Sequence, residues 1–211
     1  MSEEPGYYDS QADTDRRRGA SLPHWSQAAT TYYVTFRLAD SLPAAVQRAW
    51  ESERREVAQD RLIDEAARER LLRRLYSKHI ESGLDRGYGD CWLARPGCAD
   101  VVAASLSHFD GERYRLWCWC VMPNHVHVLV EPWAPYSLSA VLHSWKTYSA
   151  NGVNRLVGRS GALWQKESFD HLVRRRSAFD YFSQYILTNP ARAGLGDWPH
   201  YGGTGLPAGE R

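Results

Sequence analysis

Hydrophobic residues change their spacing several times along the chain, and each change predicts an element. Thr31-Tyr-Tyr-Val-Thr-Phe-Arg-Leu38 is β-branched and aromatic with alternating character, which predicts a first strand. Asp40-Ser-Leu-Pro43 reads as a helix start. From Ala44 to about Glu81, Val46, Trp50, Val57, Leu62, Ile63, Ala66, Leu71, Leu72 and Leu75 recur at helical spacing. One long helix or a helical hairpin is expected there, its dense mixed charges forming a solvated face. Gly83–Asp90 reads as a loop and Cys91–Ala94 as a short strand. Gly97 to about Asp110 reads as a helix carrying Val101, Val102, Leu106 and Phe109. Tyr114–Val121 and His125–Glu131 predict two strands interrupted by Met122-Pro-Asn124. Ser137 to about Leu156 is an amphipathic helix, and Leu163–Val173 reads as extended. Ser177 to about Thr188 is a last helix, stopped by Asn189-Pro190.

The interruption at Met122–Asn124 is too short for a crossover, so the strands on either side pair antiparallel. The whole order fits an α+β, ferredoxin-like (RRM-like) sandwich with a mostly antiparallel sheet. To it are added a long helical insertion at 44–82 and a C-terminal helix. The expected organisation is a flexible N-terminal tail at 1–21, one domain over 22–196 and a C-terminal tail at 197–211. A chain of 211 residues suits that count.

Composition narrows the picture. No apolar run approaches the ~18–20 residues needed to span a bilayer, and the first residues hold no apolar secretory segment. A cytoplasmic location is expected. The net charge of +1 argues against a general duplex-coating protein. It hides an asymmetry: residues 133–211 carry nine Lys/Arg against five Asp/Glu, which hints at a polyanionic partner. Nine Trp and twelve Tyr dominate the aromatic content; most are expected in the core, but such rings also stack on unpaired bases. Cys91, Cys98, Cys118 and Cys120 form no C-x-x-C pair, so zinc-ribbon spacing is absent and buried free thiols are expected.

Met122-Pro-Asn-His-Val-His-Val-Leu-Val130 is the most informative stretch. In a strand, i and i+2 project to one face, so His125 and His127 point together while Val126, Val128 and Val130 face a core. Two imidazoles about 6–7 Å apart at their roots are able to converge on one metal ion. The H-x-H-x-D-H continuation of many zinc hydrolases is missing. In the last helix, Tyr185 and Asn189 are four apart and share a face. A phenol and a carboxamide there could serve one site, the first as nucleophile and the second as a metal ligand. Tyr181, one turn earlier, is a rival phenol. Lys146 in the Ser137–Leu156 helix, Lys166, and Arg174, Arg175 and Arg176 are candidates for phosphate contact.

Pro23-His-Trp25, Tyr33-Val-Thr-Phe-Arg-Leu38, Met122-Pro-Asn-His-Val-His127, Ser144-Trp-Lys146, Leu163-Trp-Gln165, Asp170-His171 and Tyr185-Ile-Leu-Thr-Asn-Pro-Ala-Arg-Ala-Gly194 occur in that order. The ordered set resembles the REP-associated tyrosine transposases, a branch of the one-tyrosine HUH transposases of bacterial insertion sequences. The resemblance runs from about residue 22 to 196. It implies a ferredoxin-like sheet with the nucleophile on a separate helix, and cleavage and joining of single-stranded DNA beside palindromic hairpins. His125 and His127 match the two motif histidines, Tyr185 the nucleophile and Asn189 a polar third ligand. Arg192, in the last motif, joins the DNA-binding candidates.

The activity so implied is nicking and strand transfer through a 5′-phosphotyrosine, with a divalent ion, Mg²⁺ or Mn²⁺, as cofactor. Single-stranded or hairpin DNA is the expected partner, a homodimer is a possible assembly, and the location would be nucleoid-associated. Two other readings compete. One is a hairpin or single-strand DNA-binding protein that no longer cuts. The other is a zinc-dependent hydrolase using His125, His127 and a carboxylate such as Glu131 or Asp170.

Overall fold

The computed structural model describes residues 4–12, 15–18, 23–27, 29–60 and 62–203. Two short strands, β1 (Asp15–Arg18) and β2 (Pro23–Ser26), form an antiparallel pair of their own. The main sheet holds β3 (Tyr32–Arg37), β4 (Tyr114–Val121), β5 (His125–Pro132), β6 (Phe169–Leu172) and β7 (Tyr201–Gly203), in the order β6-β3-β5-β4-β7. Every neighbouring pair is antiparallel. Helices α1 (Ala44–Gln59), α2 (Glu65–Tyr76) and α3 (Ser82–Leu84) lie between β3 and α4 (Cys98–Ser107). A π-helical turn, Ser77–Glu81, joins α2 to α3. Helix α5 (Leu138–Leu156) follows β5, and α6 (Arg176–Arg192) follows β6. Without the insertion and β7, the order β3-α4-β4-β5-α5-β6 with β5 between β3 and β4 is the split βαβ of a ferredoxin-like sandwich.

The alternation along β3 and β5 divides the core in two. Val34, Phe36, Val126, Val128 and Val130 pack with Val102, Leu106, Val141, Trp145 and Val153 of α4 and α5. Tyr33, Leu129, Cys118, Cys120 and Ile186 pack on the other face, beneath α6. Strand β4 changes sides midway. Its pairing with β5 slips between Leu116 and Cys118, and a one-residue bulge reverses which face each later side chain occupies. Tyr114 and Leu116 therefore belong to the first layer, whereas Cys118 and Cys120 lie under α6. A third cluster, Leu42, Trp50, Tyr76, Ile80 and Leu84, makes the inner side of the helical insertion. It meets the sheet where Tyr76 stacks on Phe169 at 3.8 Å between ring centroids.

Several expectations change. Of the two forms expected for the insertion the helical hairpin is found, but it runs on through Gly83 to Leu84, where a loop was expected. Cys91–Ala94, expected as a strand, contains a 3₁₀ turn at Trp92–Ala94. Cys91 has φ +47°, which turns the chain, and the Leu93 N–H donates to the Pro123 carbonyl. Of Leu163–Val173, only Phe169–Leu172 is strand, with Trp164 bridged to Leu38. Asn189-Pro190 does not stop the last helix. Pro190 removes one N–H from the helical ladder, but Asn189 and Pro190 are buried and the helix continues to Arg192. It closes there through the Ala193 N–H to Asn189 and the left-handed Gly194, at φ +75°.

Both expected tails are partly tied to the sheet. The Gly6 N–H donates to Glu131 at 2.9 Å and the Tyr8 N–H to the Val173 carbonyl at 3.0 Å. Near the other end, the Trp198 indole donates to the Val121 carbonyl at 2.6 Å, and β7 extends the sheet beyond residue 196. Three of the four cysteines are buried thiols; Cys91 is half-buried. No helix among the described residues is long and apolar enough to cross a membrane.

Helices α4 and α5 touch closely at Gly152, where an added Cβ would sit 2.6 Å from Val101 Cγ1. Gly152→Val overpacks that contact and should cost about 1–3 kcal/mol of stability. A melting temperature lowered against wild type by circular dichroism is the expected reading. An unchanged temperature would show that the two helices have room to separate.

Candidate functional site

The site is built on β5. His125 and His127 project under α6, and each is 1% exposed. Their Nε2 atoms are 2.9 Å apart. The outer nitrogens are occupied. His125 Nδ1 meets Asn124 Oδ1 at 2.7 Å, and the Asn124 amide group donates to the Leu84 and Tyr88 carbonyls. Because those carbonyls accept only, Asn124 presents its oxygen to His125, and Nδ1 is the protonated nitrogen. His127 Nδ1 meets Thr35 Oγ1 at 2.8 Å and the Tyr33 hydroxyl at 2.9 Å. The Thr35 hydroxyl donates to Tyr33 and the Tyr33 hydroxyl to Glu81. Both oxygens are then free to accept from His127 Nδ1–H.

With His127 protonated on Nδ1, two unprotonated Nε2 atoms face each other, which is repulsive unless something positive lies between them. Burial holds the His125 imidazolium pKa down at about 3 and that of His127 well below the ordinary value, with the His125 and Arg192 charges adding to the second. A proton is therefore a poor occupant. A divalent cation fits: two ligands at about 2.1 Å and a right angle stand about 3 Å apart.

Helix α6 lies across this pair. The Tyr185 ring is 5.3 Å from the His127 ring and 6.2 Å from Tyr33, edge-on to both. Burial raises the phenol pKa, and the carboxylates of Glu81 and Asp85 raise it further; Arg192 opposes them. The Arg192 guanidinium lies over the Tyr185 ring at 4.8 Å. Asn189, one turn on, is buried, and its Oδ1 has no hydrogen-bond partner among the described residues. Asn189 Oδ1 is a buried orphan acceptor on the helix that covers the imidazole pair, and an amide oxygen together with imidazole nitrogens is a donor set for a hard or borderline cation. Among the described residues no three His, Cys, Asp or Glu side chains are grouped to hold a metal.

A cleft of about 380 Å³ opens beside Tyr185, with Tyr181, Phe182, Glu81, His171 and Arg175 in its walls. Tyr181 is 63% exposed, and its ring lies 6.4 Å from that of Tyr185 at 24° to it. Glu81 reaches the cleft from the π-helical turn of the insertion, and burial raises its carboxyl pKa.

The basic candidates separate. Arg175 lines the cleft and Lys166 is exposed. Arg174 is exposed with its guanidinium over Tyr8 at 4.9 Å. Arg176 is paired with Asp180 at 2.9 Å and Glu4 at 3.5 Å. Lys146 is not an open surface lysine. Its ammonium donates to the Gln165 and Lys166 carbonyls and to Ser168 Oγ, so it ties down the 165–168 loop. Burial and the Arg37 charge lower its pKa to about 8, which leaves it charged at neutral pH.

Register disposes of the two carboxylates considered beside the histidines. Glu131 is four residues from His127, about 13 Å along the strand, and accepts from Gly6 and Thr31. Asp170 stands opposite Val34, whose side chain faces α4 and α5. Tyr33, Thr35 and Glu81 escaped the sequence reading, and Asn124 was legible only as a turn residue. The alternation of β3 puts Tyr33 and Thr35 on one face. Only the register, Thr35 opposite His127, makes that the histidine face.

The buried imidazoles set a pH dependence. A histidine whose folded pKa lies below its unfolded value of ~6.5 adds stability above that value, and the contribution is lost as pH falls toward the folded pKa. In chelator-treated protein, the unfolding free energy should fall from pH 7 to pH 5 by up to about 1.4 kcal/mol per pH unit for each such imidazole. Denaturant titrations of wild type and His125→Gln check this. Equal pH slopes for the two proteins would mean that His125 is not held neutral.

Residues 103–189 match the family model described as "Transposase IS200 like". No curated protein matches the chain. Among solved structures, a REP-associated tyrosine transposase bound to a REP hairpin is 13% identical, with 87% of this chain and 82% of that chain covered and a TM-score of 0.49. A candidate transposase from Deinococcus radiodurans R1 is 14% identical, with 82% and 97% covered and a TM-score of 0.35. The fold assignment rests on strand order and register, not on these likenesses. The matched span, residues 103–189, holds both imidazoles, the Tyr185 phenol and the Asn189 amide, and is similar to the IS200-like transposases over that part of the chain.

Proposed function

We propose that the protein nicks single-stranded DNA at or near a palindromic hairpin and rejoins it, as the resemblance to REP-associated tyrosine transposases implies. The observation that carries this reading is the placement of Tyr185 against His127, on a helix laid over the imidazole pair. His125 and His127 would hold Mg²⁺ or Mn²⁺ through Nε2, with Asn189 Oδ1 as the third ligand. When bound, such an ion neutralises charge at a scissile phosphate and polarises it.

The chain's own residues do the rest. Asn124, Thr35 and Tyr33 hold the imidazoles in the tautomer that leaves Nε2 bare. Tyr185 holds its proton at neutral pH, as any phenol does, and burial beside Glu81 and Asp85 makes that proton harder to lose. Its oxygen then attacks phosphorus, the phenol proton is released, and the bond to the 3′ oxygen breaks. The departing 3′ oxygen takes up a proton, and a 5′-phosphotyrosine remains. A free 3′ hydroxyl reverses the step at another site. Phosphodiester energy is conserved through the covalent link, so no nucleoside triphosphate is consumed. The exposed Lys166, Arg174 and Arg175 suit backbone phosphates. Arg192, exposed with its guanidinium over the Tyr185 ring, suits a phosphate close to the nucleophile.

Incubation with Mn²⁺ and single-stranded DNA bearing the palindromes beside its own gene should give a protein–DNA band that survives denaturing electrophoresis. The band should disappear in Tyr185→Phe and persist in Tyr181→Phe. The reverse pattern would move the nucleophile to Tyr181. DNA binding without any covalent band would favour the non-cutting reading. Asn124→Ala frees the His125 ring and should weaken Mn²⁺ binding by about 10–100-fold, as calorimetric titration would measure. Equal affinity in the two proteins would deny Asn124 that orienting role.

A further inference from the structure

The cleft beside Tyr185 contains a large aromatic surface that the chemistry above does not use. Tyr181 is 63% exposed, and among the described residues no hydrogen bond of its hydroxyl accounts for its position. Its neighbours arrange its ring rather than cover it. Phe182 meets it edge-on at 5.4 Å, and Tyr185 lies at 24° to it one turn below. The cleft volume of about 380 Å³ falls at the lower end of small-ligand sites, ~300–1,000 Å³. One rim carries the exposed Arg175, at the start of a 17-residue helix whose N-terminus also favours negative charge. An open π-face, a pocket for one small planar group and a cation at the rim are the elements of a single-strand nucleotide site.

We infer that this cleft seats one unpaired nucleotide beside the scissile phosphate, its base stacked on Tyr181 and a flanking phosphate against Arg175. The assignment rests on the nicking reading for which nucleotide is bound, but not for binding itself. Tyr181 is thereby a binding residue that acts through its ring face, not its hydroxyl. Stacking tolerates any base, so the site fixes where the strand lies rather than which sequence it has.

The test is equilibrium binding, by fluorescence anisotropy, of a labelled single-stranded oligonucleotide carrying the palindrome and flank from beside the protein's own gene. Protein carries Tyr185→Phe and buffer contains chelator, so no covalent step contributes. Adding Tyr181→Leu should weaken binding by about 5- to 150-fold, the loss expected for one base off an aromatic face. Tyr181→Phe, which keeps the face, should restore parental affinity within about twofold. A scan of single abasic positions should find one whose loss is no longer felt once Tyr181→Leu is present, the signature of a shared contact. Parental affinity in Tyr181→Leu would overturn the assignment, as would Tyr181→Phe falling as far as Tyr181→Leu, or no abasic position coupling to it. The two readings fail separately. Wild type that forms no adduct with Mn²⁺, while Tyr181→Leu still weakens binding at one position, sinks nicking and leaves the nucleotide site standing. An adduct in wild type together with unchanged Tyr181→Leu binding does the opposite.

Discussion

Two histidine side chains lie buried side by side, their Nε2 atoms 2.9 Å apart and their outer nitrogens held by fixed partners. Asn124 takes one and the Thr35–Tyr33 pair takes the other. If either were free to change tautomer, the pair could share a proton and close on itself as an ordinary buried hydrogen bond. Held as they are, the rings leave two lone pairs converging on one point in a region where burial disfavours protonation. The rest of the molecule can be understood as what keeps that point buried, oriented and within reach of a phenol.

Each surrounding element contributes to that. The β3–β5 register brings Thr35 opposite His127 and Arg37 opposite His125. The bulge in β4 turns Cys118 and Cys120 beneath α6, so the helix has an apolar bed on which to lie. Pro190 does not end α6, and the same helix therefore carries both Tyr185 and the buried Asn189. The helical insertion packs Tyr76 on Phe169 and sends Glu81 to the Tyr33 hydroxyl from a π-helical turn. Such turns are often found at functional sites. At the end of α3 and just beyond it, the same segment supplies the Leu84 and Tyr88 carbonyls that orient Asn124. The insertion thus supports the centre from one side while α6 covers it from above.

Much of this was legible along the chain. Periodicity gave the strands at 32–37, 114–121 and 125–132 and the long helix at 138–156 nearly to the residue, because each buries one face and must repeat with its own period. The alternation His125-Val-His127-Val also assigned valines to a core and imidazoles to the other face, as found. What the pattern misjudged was local. Cys91–Ala94 has strand-like residues but a left-handed turn, and the Asn189-Pro190 stop signal is overridden by burial of both side chains. Lys146 read as a surface charge because nothing near it in sequence announces the carbonyls of Gln165 and Lys166 that it holds.

The sequence by itself determined which side chains could do chemistry and which face of their own element each would take, since both follow from residue type and a period of two or 3.6. Only the tertiary structure decided what those faces would meet. Strand register, the bulge that swaps the sides of β4, and the docking of α6 and the insertion depend on contacts between residues far apart in the chain. No local spacing encodes those partners: Tyr33, Thr35 and Glu81 became part of the site through pairing and packing, not through any motif.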